Sequence, residues 1–486
     1  MRLNDIKSIN LDGKKLAAFG GRLLILGFGG VGQTILPIIL RHISMNPSNI
    51  TVLEKDNHKN LFYRKYGSTG VKYIIKEIVK DNLDNELSAH LGPRDMLINL
   101  SLNIDGIEIV TWCLEHDVLY TDTSIERWPN KPDETIPKLA DRTLYTTHNR
   151  IREITSKWKN KGATSLVTNG ANPGLVSQFT KAALLDIADA MNLDFEIPYT
   201  QSGWANLMMT TGTKVVHIAE RDTQIMNIPK LPGEFLNTWS CEGFWAEGRA
   251  PAELGWGTHE NSSPANGFVH REGPGNAAYL RTPGVSTIAK SWVPIGGSYN
   301  GFVVQHSESV TLSNYFTVTK NGQPLYRPTV HYVYCPCDAA IASVHEFRGR
   351  ELTMQDRTRV AKTEIIGGMD ELGVLLLGHG MNGWWYGSQM SIGEATAILP
   401  GEGPTTIQVA ANMLAGIVWM LKNPRKGYTE PEELPFDFIL EIARPYLGTM
   451  DSVQTNWTPI ANRNKLFDTY INTKNPWSFE NFHVMN

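Results

Sequence analysis

The sequence predicts a two-domain protein: a doubly wound parallel α/β sheet, then a second α+β domain carrying a mostly antiparallel sheet. Three observations predict it. A short apolar run, Arg22–Gly27, leads straight into Gly27-Phe-Gly29-Gly30-Val31-Gly32 and then an apolar helical repeat. Further apolar runs that end in polar residues follow as far as residue 174. From about residue 195 tryptophan, glycine and isolated histidines become dense, and β-type runs take over.

The Leu-Leu-Ile-Leu run has no polar alternation, which suits a strand covered on both faces. Val31, Ile35, Leu36, Ile39 and Leu40 recur at helical spacing, so a helix begins near Gly30. Asn49–Glu54 is a second strand ending in a carboxylate. Strand, glycine loop, helix, strand and acid in this order make a dinucleotide site. Gly27 permits the tight turn, Gly29 lets backbone approach a pyrophosphate, and Gly32 lets helix and strand pack closely. The helix N-terminus around Gly30 and Val31 offers free N–H groups to the anion. Glu54 stands where an acid takes the adenosine ribose hydroxyls. That favours NAD over NADP, whose 2′-phosphate it would repel, although Lys55, His58 and Lys59 soften the preference. Residues 1–174 are therefore read as a Rossmann-type dinucleotide-binding domain.

The alternation continues with a strand over Asp95–Ser101, a helix over Ile107–Cys113 and a strand over Val118–Asp122. Ligands of open α/β sheets sit at the carboxyl ends of strands, so Asn99, Ser101, Asp122, Thr123 and Ser124 are candidate cofactor neighbours. Leu139–Trp158 reads as helical, and Ser165–Thr168 reads as a last strand. That strand runs into Asn169-Gly-Ala-Asn172-Pro173-Gly174 and a helix over Leu175–Met191. The substrate domain, 175–403, carries β-type runs at Lys214–Ile218, Gly301–Gln305, Ser309–Leu312 and Thr329–Tyr334. The glycine-rich stretches Gly248–Gly257 and Gly273–Gly284 read as loops. Ile407, Ala410, Leu414, Ile417 and Leu421 make one stripe of a strong helix, about 404–423, expected to return against the first domain. Residues 424–486 hold Pro424, Pro431 and Pro435 and read as a wrapping or oligomer-contact extension.

Composition excludes several function classes. Lys and Arg number 45 against 49 Asp and Glu, which argues against a nucleic-acid partner. Leu23–Leu40 is apolar, but its glycines and Pro37 split it into strand and helix, so no membrane partner is expected. Arg2, Asp5, Lys7, Asp12, Lys14 and Lys15 do not make a secretory leader, which points to the cytoplasm. Four cysteines are too few and scattered for a disulfide framework, and Cys335-Pro-Cys337 lacks a second pair, so no metal is expected. H-E-x-x-H, G-x-S-x-G and Walker lysine motifs are absent, which leaves hydride transfer. Glu220-Arg-Asp222 and Asn237–Glu247 combine carboxylates with aromatics, as an alkyl diammonium substrate would need. A free alkylamine, with a pKa of about 10.4, must lose a proton to react.

The stretches GFGGVGQTILP, NGANPGLVS, HIAERDTQ, NTWSCEGF, PAELGWGTHE, SWVP, YRPTVHY, DELGVLLLGHG, WWYGSQ and RPYLG span residues 27 to 448. With them the chain resembles the bacterial homospermidine synthase family of the saccharopine dehydrogenase-like superfamily. The resemblance implies NAD-dependent aminobutyl transfer without net redox, a transferase reaction of polyamine biosynthesis. One putrescine becomes an imine, ammonia leaves, a second putrescine adds, and the Schiff base is reduced by the retained NADH. Spermidine is an alternative donor. It implies Trp239 as a cation–π platform, Glu247 as the carboxylate holding an ammonium midway along a channel, and Glu126 as one nearer the mouth. It implies Asn172, Glu220, His306, Glu308 and Asp370 as the inner polar set, in which Glu220 or His306 would serve as general base, and a homodimer. Carboxynorspermidine and saccharopine dehydrogenases remain alternatives. Both must grip an α-carboxylate, for which Arg221, Arg249 and Arg327 are candidates. A non-catalytic NAD(H)-binding sensor is the alternative outside enzymes.

Overall fold

The computed structural model describes residues 11, 13–129, 137–463 and 468–484. The N-terminal residues read against a secretory leader lie outside these, Lys14 and Lys15 excepted. Seven strands form a parallel sheet in the order Lys72–Ile75, Ile50–Glu54, Leu23–Leu26, Met96–Asn99, Leu119–Asp122, Ser165–Leu166 and Tyr428–Thr429. The order reverses beside Leu23–Leu26, which places the glycine loop at the switch point where such sheets bind ligands. Leu23, Leu24, Ile25 and Leu26 are all buried, as a strand covered on both faces requires.

The second sheet has ten strands. Val215–Asp222 pairs parallel with Thr329–Cys335, and its other pairings are antiparallel. Val215–Asp222 lies between Thr329–Cys335 and the hairpin Met369–His379/Asn382–Ser391. Side chains alternate across these strands. Val216, Ile218, Val330, Tyr332, Leu372, Val374 and Leu376 join the large core that includes helices Gly30–His42, Leu175–Ala190 and Pro404–Lys422. Val215, Ala219, Val333, Leu375 and Leu377 face a separate core with Phe479 and Phe482.

Helix Pro404–Lys422 packs along Gly30–His42. It is long and apolar enough to cross a membrane by length and composition, yet it is buried inside the protein. Residues 424–486 enter both sheets: Tyr428–Thr429 ends the parallel one and Thr449–Thr455 edges the other.

Three expectations are corrected. Ser309–Leu312 is helical, within Ser307–Tyr315. Its β-branched residues are overridden by packing, since Ser307 through Ser313 are all buried. The stretches read as loops contain strands Pro251–Gly255 and Ala277–Pro283, which pair with each other. Gly255 serves close approach, not a turn, because a Cβ there would overlap the Ser309 carbonyl. The helix read over Leu139–Trp158 breaks into a 3-10 turn at Leu139–Arg142, a helix at Leu144–Thr155 and a second turn at Ser156–Trp158. Glu253 causes the restart: its oxygens accept the N–H groups of Leu144 and Tyr145, both at 2.8 Å. A buried carboxylate at a helix N-terminus satisfies donors that have no partner inside the helix.

The return strand is pinned by charge. Arg152 Nε and Nη2 donate to Glu430 at 2.8 and 2.9 Å, and the Tyr428 hydroxyl donates at 2.9 Å. Burial alone would raise the Glu430 pKa, but Arg152 and His148 outweigh it and hold it well below its ordinary value of 4.5. A depressed carboxylate stabilises the fold fully above its unfolded value, and the contribution fades as pH falls below that value. Arg152→Met, which strands Glu430, is expected to cost about 3–5 kcal/mol. Urea titrations should show that loss at neutral pH, with a shallower decline on acidification than in the native chain.

Candidate active site

The glycine loop fits a dinucleotide. Gly27 has φ +94°, and a Cβ on it would stand 2.8 Å from the Leu100 carbonyl oxygen, beside Ser101. A Cβ on Gly32 would stand 2.6 Å from the Gly27 oxygen, so only glycine lets helix and strand meet. A Cβ on Gly29 would meet nothing within 4 Å, so the loop opens there to a guest. No acid lies in the first helical turn. Glu54 ends its strand beside the loop, accepting the Phe28 N–H at 2.5 Å and the Asp56 N–H at 3.1 Å.

The other strand-end candidates divide. Asn99 accepts the Ser101 N–H at 3.2 Å, which shapes the turn facing Gly27. Asp122 is fully buried and accepts the Tyr120 hydroxyl at 2.7 Å and the Thr168 N–H at 2.5 Å. Burial pushes its pKa up to about 7. Its geometry is that of a brace between strand ends. Thr123 lies against Gly170, and Ser124 donates to Glu126 at 2.9 Å.

The polar end of the second sheet lies next to this loop. Glu220 and Asp222 are two apart on one strand and so share a face. Asp370 stands directly opposite Asp222 on the neighbouring strand, and Tyr334 directly opposite Glu220. Glu220 Oε2 accepts from Asn172 Nδ2 and from the Tyr332 hydroxyl, both at 2.5 Å. Asp222 accepts from Thr238 Oγ1 at 2.8 Å, and Asp370 from Thr405 Oγ1 at 2.6 Å. All three carboxylates are buried. Desolvation lifts Glu220 to about 7 against the Tyr332 and Asn172 hydrogen bonds, and lifts Asp222 to about 6. Asp370 is pushed well up by burial, then by Glu220 and Asp222. Three carboxyls this close in a dry place cannot all ionise unless a cation joins them.

Trp239 bridges loop and site. A Cβ on Gly30 would stand 3.0 Å from its backbone oxygen, while its indole N–H donates to the Tyr334 hydroxyl at 3.1 Å. Tyr334 stacks on Tyr332, with ring centroids 5.4 Å apart. Tyr332 in turn meets the His306 ring at 4.5 Å.

His306 is the residue before helix Ser307–Tyr315, and Glu308 sits in that helix's first turn. Its Nδ1 is 3.0 Å from both Glu308 oxygens, and its Nε2 is 3.5 Å from Glu247 Oε1. Burial alone would lower the His306 pKa, but Glu308 and Glu247 override it and hold the imidazole protonated, well above 6.5. His306, Glu247 and Glu126 line a cleft of about 690 Å³. Burial raises the Glu126 pKa, and the nearby Glu247 charge adds to the rise.

The structure thus gathers Asn172, Glu220, Trp239, Glu247, His306, Glu308, Asp370 and Glu126 around one path from the loop to the cleft. Sequence reasoning singled out the Glu220-Arg-Asp222 segment without giving Asp222 a role of its own, and it missed Tyr332 and Tyr334. The signal was present: Glu220/Asp222 and Tyr332/Tyr334 each repeat with the two-residue period of a strand.

The Saccharopine dehydrogenase NADP binding domain family matches residues 23–166, and the Saccharopine dehydrogenase C-terminal domain family matches 170–455. The chain is 41% identical over 472 residues to the homospermidine synthase of Blastochloris viridis, covering 96% of this chain and 97% of that one. It is 39% identical over 475 residues to the homospermidine synthase of Mesorhizobium japonicum, covering 96% of each. The crystal structure of the Legionella pneumophila homospermidine synthase in complex with NAD superposes with a TM-score of 0.89 at 39% identity, covering 96% of this chain and 98% of that one. The likeness runs over nearly the full length of each relative, and the chain belongs to the homospermidine synthase family.

Proposed function

We propose that this protein is an NAD-dependent homospermidine synthase that converts two putrescines to homospermidine and ammonia, with spermidine as an alternative aminobutyl donor. The observation that carries the reading is the unbroken line Trp239–Tyr334–Tyr332–His306–Glu247, which runs from the glycine loop to the cleft. Bound NAD supplies the hydride acceptor for the first amine and, once reduced, the donor for the Schiff base.

The pyrophosphate would rest on the backbone of Gly27, Gly29, Gly30, Val31 and Gly32, with Glu54 on the adenosine ribose. The family of the first domain is named for NADP binding, but a buried carboxylate at Glu54 opposes a 2′-phosphate. Asn99, Ser101, Asp122 and Thr123 shape the neighbouring strand ends.

The reaction removes a proton from each of two amines and later returns one to ammonia and one to the product amine. Two protons must therefore be held while the chain reacts. Glu220, whose pKa lies at about 7, is the base for the reacting amine, with Asn172 fixing its carboxylate. Asp222 and Asp370 lie beside it and extend its capacity. His306 is protonated and so cannot serve as the base offered from the sequence; it holds Glu247 and donates. Glu308 fixes the imidazolium. Trp239 faces the ammonium, Glu247 grips it midway, and Glu126 meets it nearer the mouth.

The carboxylate-gripping alternatives require a free arginine. Arg327 donates to Thr317 and to the carbonyls of Gly275 and Pro274, and Arg221 donates to the Gly296 carbonyl. Only Arg249 of the three lines the cleft. A homodimer in the cytoplasm completes the proposal, and sedimentation at working concentration tests the dimer.

Incubation with NAD and putrescine is expected to yield homospermidine and ammonia with no net NADH. Accumulating NADH would instead indicate a dehydrogenase, and nucleotide binding without amine turnover a sensor. Trp239→Ala is expected to lose up to ~30-fold in kcat/KM, matching about 0.5–2 kcal/mol for a cation–π contact. Glu247→Gln should lose ~10- to 100-fold, and both variants should keep native nucleotide affinity in fluorescence titrations, given about 1.5–3 kcal/mol for a hydrogen bond to a charged group. Glu220 must be ionised to act, so kcat/KM should rise with pH through about 7. The same limb in kcat should lie lower, because a bound ammonium favours the carboxylate. Glu220→Gln should abolish the limb along with most turnover.

A further inference from the structure

The cleft changes sign along its depth. Glu220, reached from the cleft through Tyr332 and His306, is 1% exposed; among the lining groups His306 is 6% exposed and the Glu247 side chain 24%. The charged side chains next outward are arginines. Arg249 is exposed, lines the cleft, and stands four residues after Trp245 on helix Cys241–Arg249, the spacing that stacks side chains on one face. Its guanidinium carbon lies 3.7 Å from the centroid of the Trp245 ring. Arg142, also on the cleft wall, donates through Nη2 to the Arg249 carbonyl at 3.3 Å. One face of the Trp245 indole is thus already covered by a cation of the protein's own. Glu247 and Glu126 line the same cleft.

We infer that Arg249, seated on Trp245 and backed by Arg142, is a specificity-determining residue that limits how many ammonium groups the cleft retains. The inference rests on the polyamine reading above. A diamine entering lengthwise places one nitrogen at Glu220 and its second ammonium among Glu247 and Glu126, short of the rim. A triamine formed by joining two such chains carries a third ammonium outward, against Arg249. The acids hold the dication, and the rim disfavours the trication. The cleft is thereby biased toward its substrate and against its own product, which helps the product to leave. Spermidine carries a third ammonium too and meets the same repulsion, so it enters as the weaker of the two donors.

The test is equilibrium binding of putrescine and homospermidine to the full-length protein with NADH bound, which cannot oxidise either amine, by calorimetry, at low and high salt. Arg249→Gln is expected to tighten homospermidine relative to putrescine by about three- to tenfold, and the gain should shrink at high salt, because exposed charges are screened. Arg249→Lys keeps the charge and should keep the native ratio. An unchanged ratio in Arg249→Gln overturns the inference. Equal shifts in the Gln and Lys variants also overturn it, since they would trace the effect to shape and not to charge. A native protein that binds neither amine overturns the polyamine reading itself, and the rim with it.

Discussion

The structure depends on keeping water away from three carboxylates. Glu220, Asp222 and Asp370 meet at one end of a sheet face whose remaining positions are Val216, Ile218, Val330, Leu372, Val374 and Leu376. That apolar floor removes the solvent that would otherwise share the acids' charge. Each group is then obliged to find a donor, keep a proton or accept a cation. Asn172, Tyr332, Thr238 and Thr405 provide donors, and the raised pKa values show that these donors do not suffice. A site with that deficit favours an ammonium, and a Glu220 that titrates at about 7 can exchange protons with it at physiological pH.

The same face must sit at a fixed distance from the glycine loop, and several cross-domain contacts fix it. The Trp239 backbone reaches the first residue of helix Gly30–His42. Glu402, just before helix Pro404–Lys422, accepts from Thr34 at 3.0 Å and from Lys362 at 2.9 Å, while Lys362 also reaches Gln33 at 2.9 Å. Glu253 holds the start of helix Leu144–Thr155 from the opposite side. The final segment ties both sheets together by giving a strand to each. Reaction geometry is thereby set by packing between domains, and no single loop carries it.

The parallel domain was legible because its signals are local. An apolar run, three spaced glycines and an acid after the next run depend only on neighbouring residues. In the second domain the decisive information is non-local. That Asp370 stands opposite Asp222 is a matter of strand register, which no short window contains. Glycines there serve close packing: Gly255 lies against Ser309, and Gly373 and Gly387 pack around Trp385. Read locally they suggested loops. Ser309–Leu312 has β-forming residues but lies buried under a strand, and there tertiary contact decided the helix. Composition marks the segments Glu220–Asp222 and Asn237–Glu247, whereas the separate roles of Glu220, Trp239 and Glu247 follow only from family resemblance, and Tyr332 carries no local mark beyond its two-residue repeat with Tyr334.

The charge state of His306 has a consequence for how the proposed reaction begins. With His306 protonated between Glu308 and Glu247, the triad carries one net negative charge before any amine enters. The imidazolium keeps Glu247 in place and satisfies part of its charge in a half-buried setting. An incoming ammonium then adds a second cation beside a carboxylate that is already oriented. Glu247 does not have to move from solvent to a dry site at the moment of binding. Its desolvation has been met by folding, and substrate binding needs only to complete the neutralisation. Such preorganisation places the cost of collecting charge in the stability of the fold, where the apolar floor and the cross-domain contacts offset it.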